Sequence, residues 1–392
     1  MAFIDPKNFS TAADSSPSPV LMSVQDLRSH FDNDTKIGIA LGGWSLFSNN
    51  FSMVATEPYR AKFSANLVRW IDEKGYDFVD IDWECPGGHG AEQPLNATAD
   101  IENFLLLLDT IKKAHKPEKG VSISVAANPA GMESFKSVQK MKSTCRLCHN
   151  YGVRLCQSGG QKTGHHTDVE ESKAAVQRYI DLGRPPEKIN LGFPFYAKWF
   201  QVEDKIVPAQ DTDEIDNHKS GVLTFEMKNI QPPPLPALLE LLRMQPVVST
   251  ITLLLPRSAQ RGTIALRAAG VAVELRIAYL SVRPGYGECH GPGAIVSFKR
   301  ERENVKYDQG KGALWYFDET TSPRLFWSWE NTDLMSRKFD EIVNNPTNKL
   351  GGVAAWSLGE NSTGWMHVLQ MQNMARLRSS DDQSEGEYSR LP

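Results

Sequence analysis

Short apolar runs recur along the chain at the spacing of strands: "KIGIALGGW" (36–44), "YDFVDIDWE" (76–84), "GVSISVAANP" (120–129), "INLGFPFY" (189–196) and "GGVAAWSLGE" (351–360). Amphipathic runs lie between them: "YRAKFSANLVRWIDEKG" (59–75), "DIENFLLLLDTIKKAHK" (100–116) and "DVEESKAAVQRYIDLG" (168–183). The first puts Phe63, Leu67 and Ile71 on one face at helical spacing. Before the third, Thr167 followed by Glu170 predicts a capping-box start. Strands alternating with helices are joined by crossovers, which predicts parallel β-α units.

Two stretches break this rhythm. Residues 141–165, "MKSTCRLCHNYGVRLCQSGGQKTGH", carry no periodicity where a further strand is due. Residues 231–285 open on "QPPPLP" and continue apolar, dotted with Arg and poor in Asp, unlike their surroundings. Clean pattern on both sides of each is what a retained intron or a shifted reading frame would leave. From about residue 373 the polar tail ending "SSDDQSEGEYSRLP" predicts disorder.

Composition narrows the picture only a little. The 392 residues are 40% hydrophobic and 23% charged, ordinary for a large globular core, and the net charge of -4 does not suit a polyanion-binding protein. No run of 18 apolar residues is present, which argues against a membrane span, and "MAFIDPKNFS" lacks the basic-then-apolar order of a signal peptide. Sequons at Asn8, Asn33, Asn50, Asn96 and Asn361 would suit a secreted protein. The five cysteines are odd in number and unevenly spread.

Candidate chemistry concentrates in "DFVDIDWECPGG" (77–88). Side chains alternate along a strand, so Asp80, Asp82 and Glu84 share one face while Val79, Ile81 and Trp83 share the other. Clustered carboxylates repel and resist burial, so at least one must hold a proton. An exposed acidic edge strand would carry the same alternation. Against it, the opposite face is strongly apolar and Pro86-Gly87-Gly88 ends the strand sharply. In a parallel barrel the inner face leads to a site at the C-terminal strand ends, which makes Glu84 outermost and Asp82 and Asp80 its deeper supports.

These residues resemble a known signature. "DFVDIDWE" is similar to the D-G-x-D-x-D-x-E motif of glycoside hydrolase family 18, the chitinases. "IALGGWSLFSNNFSMVA", "INLGFPFYAKWF" and "LGGVAAWSLGEN" resemble that family's Gly-Gly strand and its seventh and eighth strands. With "GHHTDVEESKAAVQRYIDLG" and "GVLTFEMKNI", the set is most like the fungal class V chitinases of the killer-toxin-like group.

The resemblance implies a (β/α)8 TIM-type barrel and retaining hydrolysis of β-1,4-linked N-acetylglucosamine polymers. In the family the outer glutamate, here Glu84, is the general acid, and the substrate's own N-acetyl oxygen attacks the anomeric carbon. Asp82 would orient the acetamide and Asp80 would share a proton with Asp82. Trp356 would floor the subsite under the reacting sugar, and Gly43 and Trp44 would line the substrate path. The resemblance further implies no metal or organic cofactor, chitin or chito-oligosaccharides as partner with no nucleic acid or membrane, a monomer, and an extracellular setting. The rival reading is a non-catalytic chitin-binding or vestigial relative.

The chain also departs from the pattern. Phe78 replaces the usual glycine, Ala40 stands where a serine is frequent, and Cys85 replaces a common aromatic. "FIDPKNFS" is similar to the end of the family's second strand, so a barrel lacking its first strand is expected. The family's sixth-strand Met-x-Tyr-Asp motif is due near 141–158 and is absent there, although Tyr151 is close by. The expected layout is a barrel part at 1–204, an inserted α+β segment at 205–320, a second barrel part at 321–372 and a tail at 373–392. "CRLCH" (145–149) matches a haem-attachment pattern but sits in the aperiodic stretch without downstream axial-ligand context, and Cys145, Cys148, Cys156 and His165 or His166 could be forced toward zinc only at a spacing that fits no structural zinc class well.

Overall fold

The computed structural model describes residues 4–10, 22–31, 35–43, 48–88, 93–127, 129–133, 135, 147–151, 164–202, 216–224, 263–268, 271–276, 297, 304–356, 367, 370, 371 and 374. Its strands are β1 (Gly38–Gly43), β2 (Phe78–Trp83), β3 (Gly120–Ala126), β4 (Leu147–Tyr151), β5 (Ile189–Pro194), β6 (Tyr196–Val202) and β7 (Asp216–Thr224). After these come β8 (Thr263–Ala268), β9 (Val271–Arg276), β10 (Lys306–Asp308), β11 (Ala313–Asp318), β12 (Arg324–Trp329) and β13 (Gly352–Trp356). The helices are α1 (Val24–Arg28), α2 (Ser48–Ala55), α3 (Glu57–Lys74), α4 (Ala97–Ala114), α5 (Pro129–Glu133), α6 (Val169–Asp181) and α7 (Thr332–Lys338).

The main sheet runs β1-β2-β3-β4-β5-β13-β9-β8 and is parallel from β1 through β9, with β8 folded back antiparallel on β9. On the far side of β1, Ile4 forms a parallel bridge to Leu41, as the strand-end reading of "FIDP" requires. β8 comes back within 8 Å of β1, so the sheet curls round on itself. Among the described residues no hydrogen-bonded ladder joins those two strands, and the described strands form a curled α/β sheet.

Alternation decides which face meets the helices. Ile39, Leu41, Val79, Ile81, Trp83, Val121, Ile123, Leu191, Phe193, Val353 and Ala355 join one buried apolar cluster with Phe51, Phe63, Leu67, Phe104, Leu107 and Phe339 from the helical segments. Both helix ends of α3 are built locally: Pro58 occupies the first turn, where no amide partner is needed, and Gly75 closes it at φ 80°. The start of α6 differs from the capping box expected at Thr167. Asp168 is the cap, accepting from the Glu171 amide at 2.7 Å, because the Thr167 hydroxyl is already taken by the buried Lys338 ammonium.

The strand missing from the periodicity of 141–165 is β4, which lies between two parallel neighbours. A second, five-stranded antiparallel sheet, β10-β11-β12-β6-β7, draws on residues from both sides of the insertion expected at 205–320 as well as from within it. Within the anomalous stretch, the β8–β9 hairpin joins the main sheet instead. In the tail expected from residue 373, Met374 is buried in the main core, and the other tail residues lie outside the described ones.

Candidate active site

The site is set by which way β2 faces. Trp83 is fully buried, stacked on Phe51 at 5.3 Å and met edge-on by Phe104 at 5.7 Å, and its Nε1 donates to Ser48 Oγ at 2.8 Å. With Val79 and Ile81 beside it, this locks the register of the strand, and Asp80 and Asp82 are forced to the other face. A one-residue slip would put both carboxylates into the apolar core. Asp80 is 0% and Asp82 2% exposed, whereas Glu84, one step past the strand end, is half-buried. Gly87 and Gly88 then turn the chain away at φ 91° and 95°.

Space for the row comes from small neighbours. The ladder sets Ala40 opposite Asp80 and Gly42 opposite Asp82. Gly42 has φ 96°, and a Cβ there would sit 2.3 Å from the Asp82 carbonyl oxygen, so only glycine permits this approach. The glycine pattern also answers the bulk at Phe78. Its ring occupies the room that a side chain on Gly38 would take, the two residues being register partners.

Burying carboxylates needs polar compensation. On the other side of β2, Ser122 pairs with Asp80 in the ladder, and its hydroxyl donates to Asp80 Oδ1 at 2.6 Å. Such a bond favours the ionised form of the carboxyl that accepts it. The row thus runs from a buried carboxylate anchored by a hydroxyl, through a second buried one, to the half-buried Glu84 at the rim. Asp77, the first aspartate of the motif, does different work: its Oδ2 accepts from the Ile37 amide at 2.8 Å and from Arg28 Nη2 at 2.9 Å, tying β1 to β2 at their start.

Trp356 ends β13, partly exposed, on the face opposite the buried Val353 and Ala355, and its carbonyl accepts from the Phe195 amide at 2.6 Å. The ladders β2-β3-β4-β5-β13 carry face parity across the sheet, which puts Trp356 on the same face and at the same strand ends as the carboxylate row. Gly43 is buried at φ 91° beside Trp83 in the ladder, one residue beyond the approach to Asp82. Trp44 lies outside the described residues. By register, Tyr151 occupies the last position of β4, opposite Ala126 and Gly192. Among the described residues no group of three His, Cys, Asp or Glu side chains could hold a metal ion.

Sequence reasoning missed Ser122, and it also missed a buried polar network under the second sheet. Lys338 and Glu330, each 1% exposed, form an ion pair, and Lys338 also donates to Thr167. Burial pushes the Glu330 and Asp168 carboxyls up from their ordinary range and pushes the His367 imidazole down to about 4. His165 meets Asp308 at 3.1 Å. Nothing in the sequence marks these residues as a group, since they are spread from 165 to 367.

The model of the Glycosyl hydrolases family 18 matches residues 1–361, most of the chain. The chain belongs to glycosyl hydrolase family 18. Chitotriosidase-1 of Mus musculus is 29% identical over 183 residues, covering 41% of this chain and 38% of the mouse protein. Chitinase 1 of Aphanocladium album is 25% identical over 188 residues, covering 45% of this chain and 44% of its own length. The matches thus span less than half of these curated relatives. Among solved structures, the chitinase of Rhizomucor miehei is similar at a TM-score of 0.63 and 17% identity, over 95% of this chain and 92% of that one. A family 18 N-acetylglucosaminidase from Paenibacillus barengoltzii gives a TM-score of 0.59 and 17% identity, over 94% of each chain. These likenesses place the curled sheet of this family 18 chain with the TIM-barrel-like α/β folds.

Proposed function

We propose that this family 18 chain hydrolyses β-1,4-linked N-acetylglucosamine polymers with retention, Glu84 acting as general acid. The observation that carries the reading is the half-buried Glu84 at the strand end, outermost of a row whose inner members are buried on the same face. In the first step the Glu84 carboxyl gives its proton to the glycosidic oxygen. The substrate's acetamide oxygen attacks the anomeric carbon as the bond to the leaving sugar breaks, giving an oxazolinium ion. Asp82, next along the row, orients the acetamide, stabilises the positive charge that develops on it and shares a proton with Asp80. Water then attacks the same carbon, returning its proton to Glu84. Trp356 floors the reacting sugar, and Gly43 and Trp44 border its path.

The finer reading follows the sequence resemblance: a fungal class V chitinase of the killer-toxin-like group, extracellular and monomeric, on a barrel lacking its first strand. Its layout is a barrel part at 1–204, an insertion at 205–320, a second barrel part at 321–372 and a tail at 373–392. Turnover of a fluorogenic chitotrioside by the purified protein tests it. Release of the fluorophore supports the reading, whereas a well-folded protein that binds chitin without turnover supports a carbohydrate-binding role instead.

A further inference from the structure

We infer that Ser122 is a positioning residue for the carboxylate row: its hydroxyl fixes Asp80 and keeps the shared inner proton on Asp82. The inference rests on the proposed role of the row, and it concerns a residue outside the signature motif. Asp80 has two ladder neighbours. On one side Ala40 brings no hydrogen-bonding side chain, at the position where the resemblance leads one to expect a serine. On the other side Ser122 is 2% exposed and donates to Asp80 Oδ1 at 2.6 Å. The hydroxyl at 122 therefore compensates on one flank of Asp80 for what is missing on the other.

The consequence is asymmetric. A donor held against one carboxyl of a close pair stabilises the anion on that member, so the proton the pair retains resides on the other. A protonated Asp82 can donate to the acetamide or to Glu84, whereas an ionised one can only accept. Ser122 thereby sets the pH at which the pair reaches its working, singly protonated form. The strand registers place His149, Tyr151, Arg267, Glu274 and Arg276 at positions of the same face, besides Asp82 and Glu84, while β1, β5 and β13 bring no titratable residue to it. None of these is altered by a change at 122.

The test compares Ser122→Thr with Ser122→Val, which are nearly equal in volume and differ by the hydroxyl, alongside Ser122→Ala. The acid limb of the kcat/KM profile on the chitotrioside is expected to move up by about one to two pH units in the Val and Ala variants. The Thr variant is expected to keep the wild-type limb. Thermal melting at neutral pH separates a folding defect, which would affect Thr and Val alike. An active enzyme whose acid limb is the same in Thr and Val variants overturns the inference while leaving the proposed function intact. If the wild type has no turnover, the proposed function fails, and 13C-carboxyl titration of aspartate-labelled protein decides the inference alone. A first ionisation of the pair that moves up in Val and not in Thr upholds it, and superimposable titrations refute it.

Discussion

Gly38→Ala is the sharpest test of how this chain accommodates Phe78. A Cβ added at Gly38 would lie 2.3 Å from two atoms of the Phe78 ring. Carbon atoms in good contact sit about 3.5–4.0 Å apart, so the ring would have to retreat by more than about 1 Å. Phe78 is 9% exposed and enclosed by the sheet face, so such a shift counts as overpacking, which costs about 1–3 kcal/mol. Without the ring, alanine in a strand is better than glycine by about 0.5–1 kcal/mol. Gly38→Ala should therefore destabilise the wild type by about 1–3 kcal/mol and be neutral or mildly stabilising in a Phe78→Ala background. The coupling energy is the sum of the two effects, about 1.5–4 kcal/mol. Urea denaturation of the four proteins of the cycle measures it. Additive effects within about 0.5 kcal/mol would refute the account of Phe78 as a bulk admitted by Gly38.

Three further outcomes follow. Burial holds His115 and His367 down at about 4, below the ordinary 6.5, so the unfolded chain takes up these protons first as pH falls. Their stabilising contribution is complete above about pH 6.5 and is lost on descent to about pH 4, up to about 3 kcal/mol each. The raised carboxyls Asp168 and Glu330 act in the opposite sense, so the check is on single residues: His115→Gln should flatten the slope of unfolding free energy against pH in that window. Lys338→Met leaves the fully buried Glu330 without its cation and should cost about 3–5 kcal/mol by chemical denaturation. Replacing Glu330 by Gln in that variant should recover part of the loss.

The parts legible in the sequence were those with local periodicity. β2 reads directly because one face is apolar throughout and the other acidic, so strand parity alone predicts the carboxylate row. β5 and β13 read as continuous apolar runs, as strands covered on both faces do. β4 has neither mark: "LCHNY" mixes polar and apolar positions, and it is held by ladders to both neighbours rather than by its own pattern. The cap of α6 was placed one residue early because the partner that occupies Thr167, Lys338, lies 171 residues away. Phe78 reads as a misfit until the ladder pairs it with Gly38, and Ser122 reads as an ordinary strand serine until the ladder pairs it with Asp80. Register between strands distant in sequence is what a single chain read alone does not contain. The candidate site was legible to the same extent: the shared face of Asp80, Asp82 and Glu84 follows from parity, Trp356 was named only by the family resemblance, and their neighbours emerge only from the pairing.

The central claim is that Glu84 donates the proton to the leaving group, and leaving-group dependence in Glu84→Gln measures that most directly. The variant and the wild type would be compared on an unactivated chito-oligosaccharide and on a chitobioside with a dinitrophenyl leaving group. An acid catalyst contributes about 10²–10⁴-fold where the departing oxygen needs a proton, and far less where it leaves readily as an anion. The account predicts a loss of that size on the oligosaccharide and a small loss on the activated substrate. An equal loss on both, or none on either, would contradict it.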